Sequence, residues 1–256
     1  MKTLHASPML GAIAAVAALS FSIPANAAFT AFAIRNAPTI NVGPTQTEFL
    51  IVSGGQKAGF GSSDIDGYTL GDIASLDIVR LDDRTRFNAG TGPYVAPYLN
   101  FWITDGVNYA VVANEPSDPN FQPLYNNGYS LTFADLSDKV AKIYENSNLA
   151  WLPNGGVGLT FADLAGFTIK APTIAELTLG WSGLGTGAPR EFGTNVAYGV
   201  NWVFGDTLSN YVSGDPGYIV GNDASVSVVP VPAAVWLFGS ALGLMQVMRR
   251  KGVVAA

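Results

Sequence analysis

The sequence predicts an all-β protein, an antiparallel β-sandwich of jelly-roll type with one short helix. Three observations predict it. Apolar and polar residues alternate with period two in many short runs. Turn formers punctuate those runs, with 29 glycines and 15 prolines in 256 residues. Charged residues make up only 12% of the chain, with few of the Lys and Glu that cover helical surfaces.

The runs can be taken in order. Residues 47–53 and 75–81 read as strands. Leu99, Phe101 and Ile103 alternate with Asn100, Trp102 and Thr104. Asp105-Gly106 is a hairpin turn signal, and Val107, Tyr109 and Val111 continue beyond it. Leu131-Thr-Phe-Ala-Asp-Leu136 recurs identically as Leu159-Thr-Phe-Ala-Asp-Leu164, and each copy has Thr and Asp at capping-box spacing. In the first copy Leu136, Val140 and Ile143 extend a helical stripe, which predicts a helix from 132 to about 146. Residues 167–170 read as a strand. In 174–181 the set Ala175, Leu177, Leu179 and Trp181 opposes Glu176 and Thr178, a further strand with Glu176 on its polar face. Val196, Tyr198, Val200, Trp202 and Phe204 share one face of another. Residues 217–220 and 224–229 complete the set.

The two ends read differently. Lys2, an apolar run from Met9 to Ile23 and then Ala25-Asn-Ala27 have the order of a secretory signal peptide over 1–27, with cleavage expected after Ala27. At the other end Ala233 to Met248 carries no charge and would span about 24 Å as a helix. It has no polar face, which excludes a surface helix. Val229-Pro230-Val231-Pro232 precedes it, and Arg249, Arg250 and Lys251 follow. A Pro-x-Pro motif, an apolar transmembrane helix and a basic tail over 227–256 resemble a PEP-CTERM sorting signal in its Val-Pro-x-Pro variant. Valine stands where that family's name has glutamate. The resemblance covers this end alone. It implies export in a Gram-negative bacterium that makes extracellular polysaccharide. It also implies transient anchoring in the inner membrane, recognition by an exosortase-type enzyme, and a destination at the cell surface or in the extracellular matrix.

Between the signals, about 28–226, lies enough chain for one domain. It carries nine basic and nineteen acidic residues, a net charge of about −10, which disfavours nucleic acid as a partner. There is no cysteine, and the single histidine, His5, falls in the signal peptide. Ser-His-Asp and Cys-His nucleophiles and zinc sites built on Cys and His are thereby excluded from the domain.

Candidate chemistry is sparse. Asp64, Asp66 and Asp72 form an acidic loop of hard oxygen ligands that could hold calcium, and an Asx-rich turn accounts for the same residues. Position 12 of an EF-hand would be Ile73, so that motif fails. Trp102, with Asn100 in phase and Tyr98 and Tyr94 just before it, could line a groove on which a sugar stacks. Glu48, Glu115, Asp118, Glu176 and Glu191 are the carboxylates available for glycoside cleavage, and no two pair by spacing. The expectation is a non-catalytic exported protein associated with polysaccharide, in a glycan-binding or structural role. A carboxylate-dependent hydrolase or lyase is the alternative.

Overall fold

The computed structural model describes residues 28–83, 97–114, 129–144, 148–179, 187–206 and 216–229. These form mostly antiparallel β-sheets with few helices, consistent with a β-sandwich. The strands are β1 (Thr30–Arg35), β2 (Thr39–Val42), β3 (Gln46–Leu50), β4 (Lys57–Ser62), β5 (Ile73–Asp77), β6 (Tyr98–Thr104), β7 (Tyr109–Ala113), β8 (Ser130–Leu131), β9 (Lys142–Tyr144), β10 (Thr168–Ile169), β11 (Val200–Gly205), β12 (Tyr218–Gly221) and β13 (Ser225–Val228). The helices are α1 (Phe133–Ser137) and α2 (Ile174–Leu179).

The largest sheet runs β1-β4-β11-β6-β7-β9, with β10 also on β6. Two three-stranded sheets, β12-β3-β2 and β13-β5-β8, complete the set. Their apolar residues meet one face of the large sheet. Phe49 of β3 stacks on Phe204 of β11 at 4.2 Å between centroids, and Tyr129, beside β8, packs edge-on against Trp202 at 5.8 Å. Phe60, Leu99, Phe101 and Val200 join this core. The predicted alternation of β6 is therefore correct, with Leu99, Phe101 and Ile103 in the main core.

The opposite face of the large sheet is also covered. Trp102, Tyr109 and Val111 form a second cluster with Ala171, Leu177 and Ala188. This face curls into a trough. Lys57 Nζ of β4 lies 3.4 Å from the Tyr144 hydroxyl of β9, although β11, β6 and β7 intervene. Four strand spacings in a flat sheet would separate β4 and β9 by about 19 Å.

Strand β4 reads Lys-Ala-Gly-Phe-Gly-Ser. A Cβ on Gly59 would lie 2.4 Å from the Phe32 ring, so the neighbouring strand requires glycine there. That requirement erases the hydrophobic alternation that would announce a central strand.

Three expectations are corrected. The helix expected to reach about 146 ends at Ser137; Val140 bridges Thr160, and Lys142–Tyr144 pairs with β7. The open β7 edge offers Ile143 a core position in a strand that a longer helix would forfeit. The strand expected over 174–181 is helix α2 through its described residues. Thr173 N–H and Oγ1 donate to Glu176 Oε2 at 2.7 and 2.8 Å, a capping box that starts a helix. The strand expected from Val196 begins at Val200, because Ala197 bridges Arg190 and Val196 O accepts the Glu191 N–H, so residues 190–197 close a separate loop.

The repeated hexapeptide does what its spacing predicts. Thr132 and Thr160 each donate N–H and Oγ1 to Asp135 and Asp163 at 2.7–2.8 Å. The two copies sit side by side, with Ala162 N–H bonded to Ser137 O.

The signal segment with Ala25 and Ala27, and Pro230 to the C-terminus with Arg249, Arg250 and Lys251, lie outside the described residues. Among the described residues no helix is long and apolar enough to cross a membrane. Val229 is described: its N–H donates to Asp72 O at 2.7 Å, and β13 runs through Val228. The expected domain boundary at 226 thus falls inside a strand.

Candidate binding cleft

The sequence-predicted aromatic site is not open. Trp102 is 0% exposed, and its indole N–H donates to Pro189 O at 3.0 Å. Helix α2 and residues 187–189 cover the face on which an exposed ring was expected, because Leu177, Ala171 and Ala188 bury against it. Asn100 is also fully buried, and neither amide atom has a hydrogen-bond partner among the described residues. Tyr98 is buried and donates to Asp206 Oδ2 at 3.3 Å. Tyr94 lies outside the described residues.

The acidic loop is divided among local roles. Asp64 Oδ2 accepts the Ala28 N–H at 2.8 Å. Asp72 accepts Thr69 N–H and Oγ1 at 2.9 and 2.7 Å, capping a short 3-10 turn. Asp66 is half-buried against Gly199, and burial raises its carboxyl to about 6. Among the described residues no three His, Cys, Asp or Glu converge as a metal-binding group.

The candidate carboxylates are likewise engaged. Glu48 accepts Asn41 Nδ2 and Gly217 N–H. Glu176 accepts from Thr173 and from the Tyr109 hydroxyl, contacts that hold its carboxyl below the usual range. Burial and the Glu176 charge push Tyr109 up to about 12. Glu115 and Asp118 fall outside the described residues.

Glu191 stands elsewhere, in a cleft of about 370 Å³ lined by the end of β1 and the loop after Arg190. The loop closes through an Arg190–Ala197 bridge and the Glu191 N–H to Val196 O bond at 2.6 Å. Gly193 at φ 92° and Asn195 at φ 59° supply the left-handed conformations it needs. Phe192 N–H bonds Ala33 O at 2.8 Å, which fixes the loop to β1 while leaving Phe192 68% exposed.

The other wall is strained. Asn36 and Ala37 hold φ of 55° and 41°, and alanine gains no side-chain bond from that conformation. Gln56 fixes both, donating Nε2 to Asn36 O and Ala37 O at 3.2 and 3.4 Å. Arg35 donates Nε to Gly55 O at 2.7 Å and Nη2 to Asp206 Oδ1 at 2.6 Å. Asp206 also receives Tyr98, and Lys57 Nζ lies 3.9 Å away. Lys57 itself is buried, donates to Gly187 O at 2.9 Å and sits over the Tyr98 and Tyr144 rings. The cleft therefore rests on a network that ties β1, β4, β6, β9 and β11 together. Of the residues singled out from the sequence, Glu191 lines the cleft and Tyr98 belongs to the network that supports it.

Such a cleft offers an exposed aromatic face, two guanidiniums, a carboxylate and two carboxamides. These are the groups that bind a polar ligand with an apolar face. Sequence reasoning missed Arg35, Arg190 and Phe192. The signal was Pro189-Arg-Glu-Phe-Gly193, an aromatic between charged and turn residues, which reads as an ordinary loop until β1 is placed beside it. Comparison with family models, curated proteins and solved structures finds no match.

Proposed function

We propose that this is an exported surface or matrix protein whose sandwich, of jelly-roll type, holds extracellular polysaccharide without cleaving it. The export half rests on the sequence ends: a signal peptide over 1–27, and over 227–256 a sorting signal with a transmembrane helix and basic tail, read by an exosortase-type enzyme at the inner membrane. The binding half rests on one observation, the exposed Phe192 standing in a cleft between Arg35, Arg190, Glu191 and two asparagines. The local hydrogen bonds that occupy Glu48 and Glu176 support a non-catalytic reading. Calcium, in this reading, adds to the acidic loop at Asp64 and Asp66 without serving the cleft.

The test is co-sedimentation of the purified protein with the producing organism's own polysaccharide, followed by end-group analysis of the supernatant. Binding without new chain ends supports the proposal. New reducing or unsaturated ends, lost on Glu176→Gln, would replace it with the hydrolase or lyase reading. Neither binding nor cleavage removes polysaccharide from the account.

A further inference from the structure

We infer that the cleft takes a neutral, hydroxyl-rich pyranose and that Glu191 is the residue that turns acidic sugars away. The inference rests on the glycan reading above and narrows it to one ligand class.

The cations of the cleft are already engaged. Arg35 is ion-paired with Asp206 at 2.6 Å and donates Nε to Gly55 O at 2.7 Å. Arg190 also has a partner. A sugar carboxylate would have to displace a contact that exists in order to make a new one, and such an exchange gains little.

Glu191 differs from both. Among the described residues its side chain meets only the Thr194 hydroxyl, through Oε2, and it forms no ion pair. The loop holds its backbone on both sides, with Glu191 N–H bonded to Val196 O at 2.6 Å and Asn195 N–H bonded to Glu191 O at 3.0 Å. Oε1 therefore remains as a charged acceptor at a fixed place in the cleft. Asn36 and Asn195 line the same cleft and donate Nδ2 to Gly55 O and Thr178 Oγ1, at 3.1 and 3.4 Å. Each keeps its Oδ1 as a further acceptor. A sugar hydroxyl can donate to such oxygens. A carboxylate cannot, and beside Glu191 it meets a like charge. An uncompensated like charge is a standard means of rejecting one ligand while accepting its neutral counterpart. Phe192, 68% exposed, supplies the apolar surface for the pyranose face.

The experiment uses the full protein purified from producing cells, in chelator so that no cation bridges probe and protein. Polygalacturonate is the acidic probe, and its fully methyl-esterified form is the neutral probe of the same backbone. The ester is expected to bind at least about tenfold tighter in low salt, and the gap should close near 1 M salt, where screening reaches about 3 Å. Glu191→Gln should move the two probes in opposite directions. The ester weakens about threefold, because a hydroxyl bonds a carboxylate more strongly than an amide, and the acidic form tightens about fivefold. Asp223→Asn removes one charge from a different recess and should leave the gap in place. Phe192→Ala should weaken the ester about tenfold with its melting temperature unchanged. Equal or tighter binding of the acidic form overturns the inference and leaves the glycan reading standing. A gap that Glu191→Gln and Asp223→Asn narrow equally also overturns it, because the discrimination then belongs to the charge of the whole domain. Binding of neither probe overturns the neutral-pyranose assignment. If the producing organism's own polysaccharide, run alongside, also fails to bind, the glycan reading falls with it.

Discussion

Asp66 carries a stability penalty that depends on pH, and Asp66→Asn removes it. The carboxyl lies against the chain at Gly199, where an added Cβ would stand 2.0 Å from Oδ1, and Oδ1 has no hydrogen-bond partner among the described residues. Burial raises its pKa from 3.8 to about 6, and the nearby Ser63, Ala171 and Lys170 offset only part of that rise. The folded state thus holds the proton more tightly than the unfolded chain. Its contribution is fully present below about pH 3.8 and is lost as pH rises through about 6. Two units correspond to about 3 kcal/mol, and screening of a half-buried group reduces this to about 1 kcal/mol. Asp66→Asn should therefore stabilise the protein by about 1 kcal/mol at pH 7, a rise of about 2–4 °C in Tm, and change nothing below pH 3.5. Thermal melts of both proteins at pH 3.5, 5 and 7, with chelator and then with calcium, measure this. Parallel curves across the range would refute the reasoning. Calcium stabilisation at pH 7 that Asp66→Asn abolishes would place the ion on the loop. Gly199→Ala should be strongly destabilising, and Asp66→Ala should recover part of the loss, because the clash is with Oδ1.

Other outcomes follow from single contacts. Asn100→Leu should raise stability by about 1–3 kcal/mol in a denaturant titration, since both amide atoms are buried without partners among the described residues; a loss of similar size would mean the amide is bonded in solution. Phe49→Ala should cost about 3–5 kcal/mol by the same titration, because its ring stacks on Phe204 between the layers. Cleavage after Ala27 would turn the Ala28 amide, 2.8 Å from Asp64 Oδ2, into an ammonium. The α-amine should then titrate above its usual range of about 7.7–8.0 and return to it in Asp64→Asn, as read by NMR.

The fold class was legible because most strands keep one apolar face, as β3, β6, β12 and β13 do. What escaped was decided by neighbours distant in sequence. Strand β4 needs glycine under Phe32, so its own residues carry little pattern. Residues 142–144 fit a helical stripe and a strand equally well, and the edge of β7 settles the choice. Helix α2 has alternating polarity, but Thr173 and Glu176 form a capping box, the same Thr-x-x-acid device that closes the turns at Thr69, Thr132 and Thr160. Reading Glu176 as a strand carboxylate missed that device.

The site was less legible than the fold. Trp102 sits between polar neighbours, which suggested exposure, yet α2 and Pro189 cover it. Polar neighbours mark an open face only when nothing else packs there. The cleft joins residues 34–37 to residues 190–195 across more than 150 positions, and no local pattern connects them.

The most direct measurement compares polysaccharide binding by Phe192→Ala and Trp102→Phe. If the cleft is the binding surface, Phe192→Ala loses most binding with its Tm unchanged. Trp102→Phe melts lower, through the lost Pro189 bond and packing, and binds normally once folded. Normal binding by Phe192→Ala together with lost binding by folded Trp102→Phe would contradict the account and return the site to the buried face of β6.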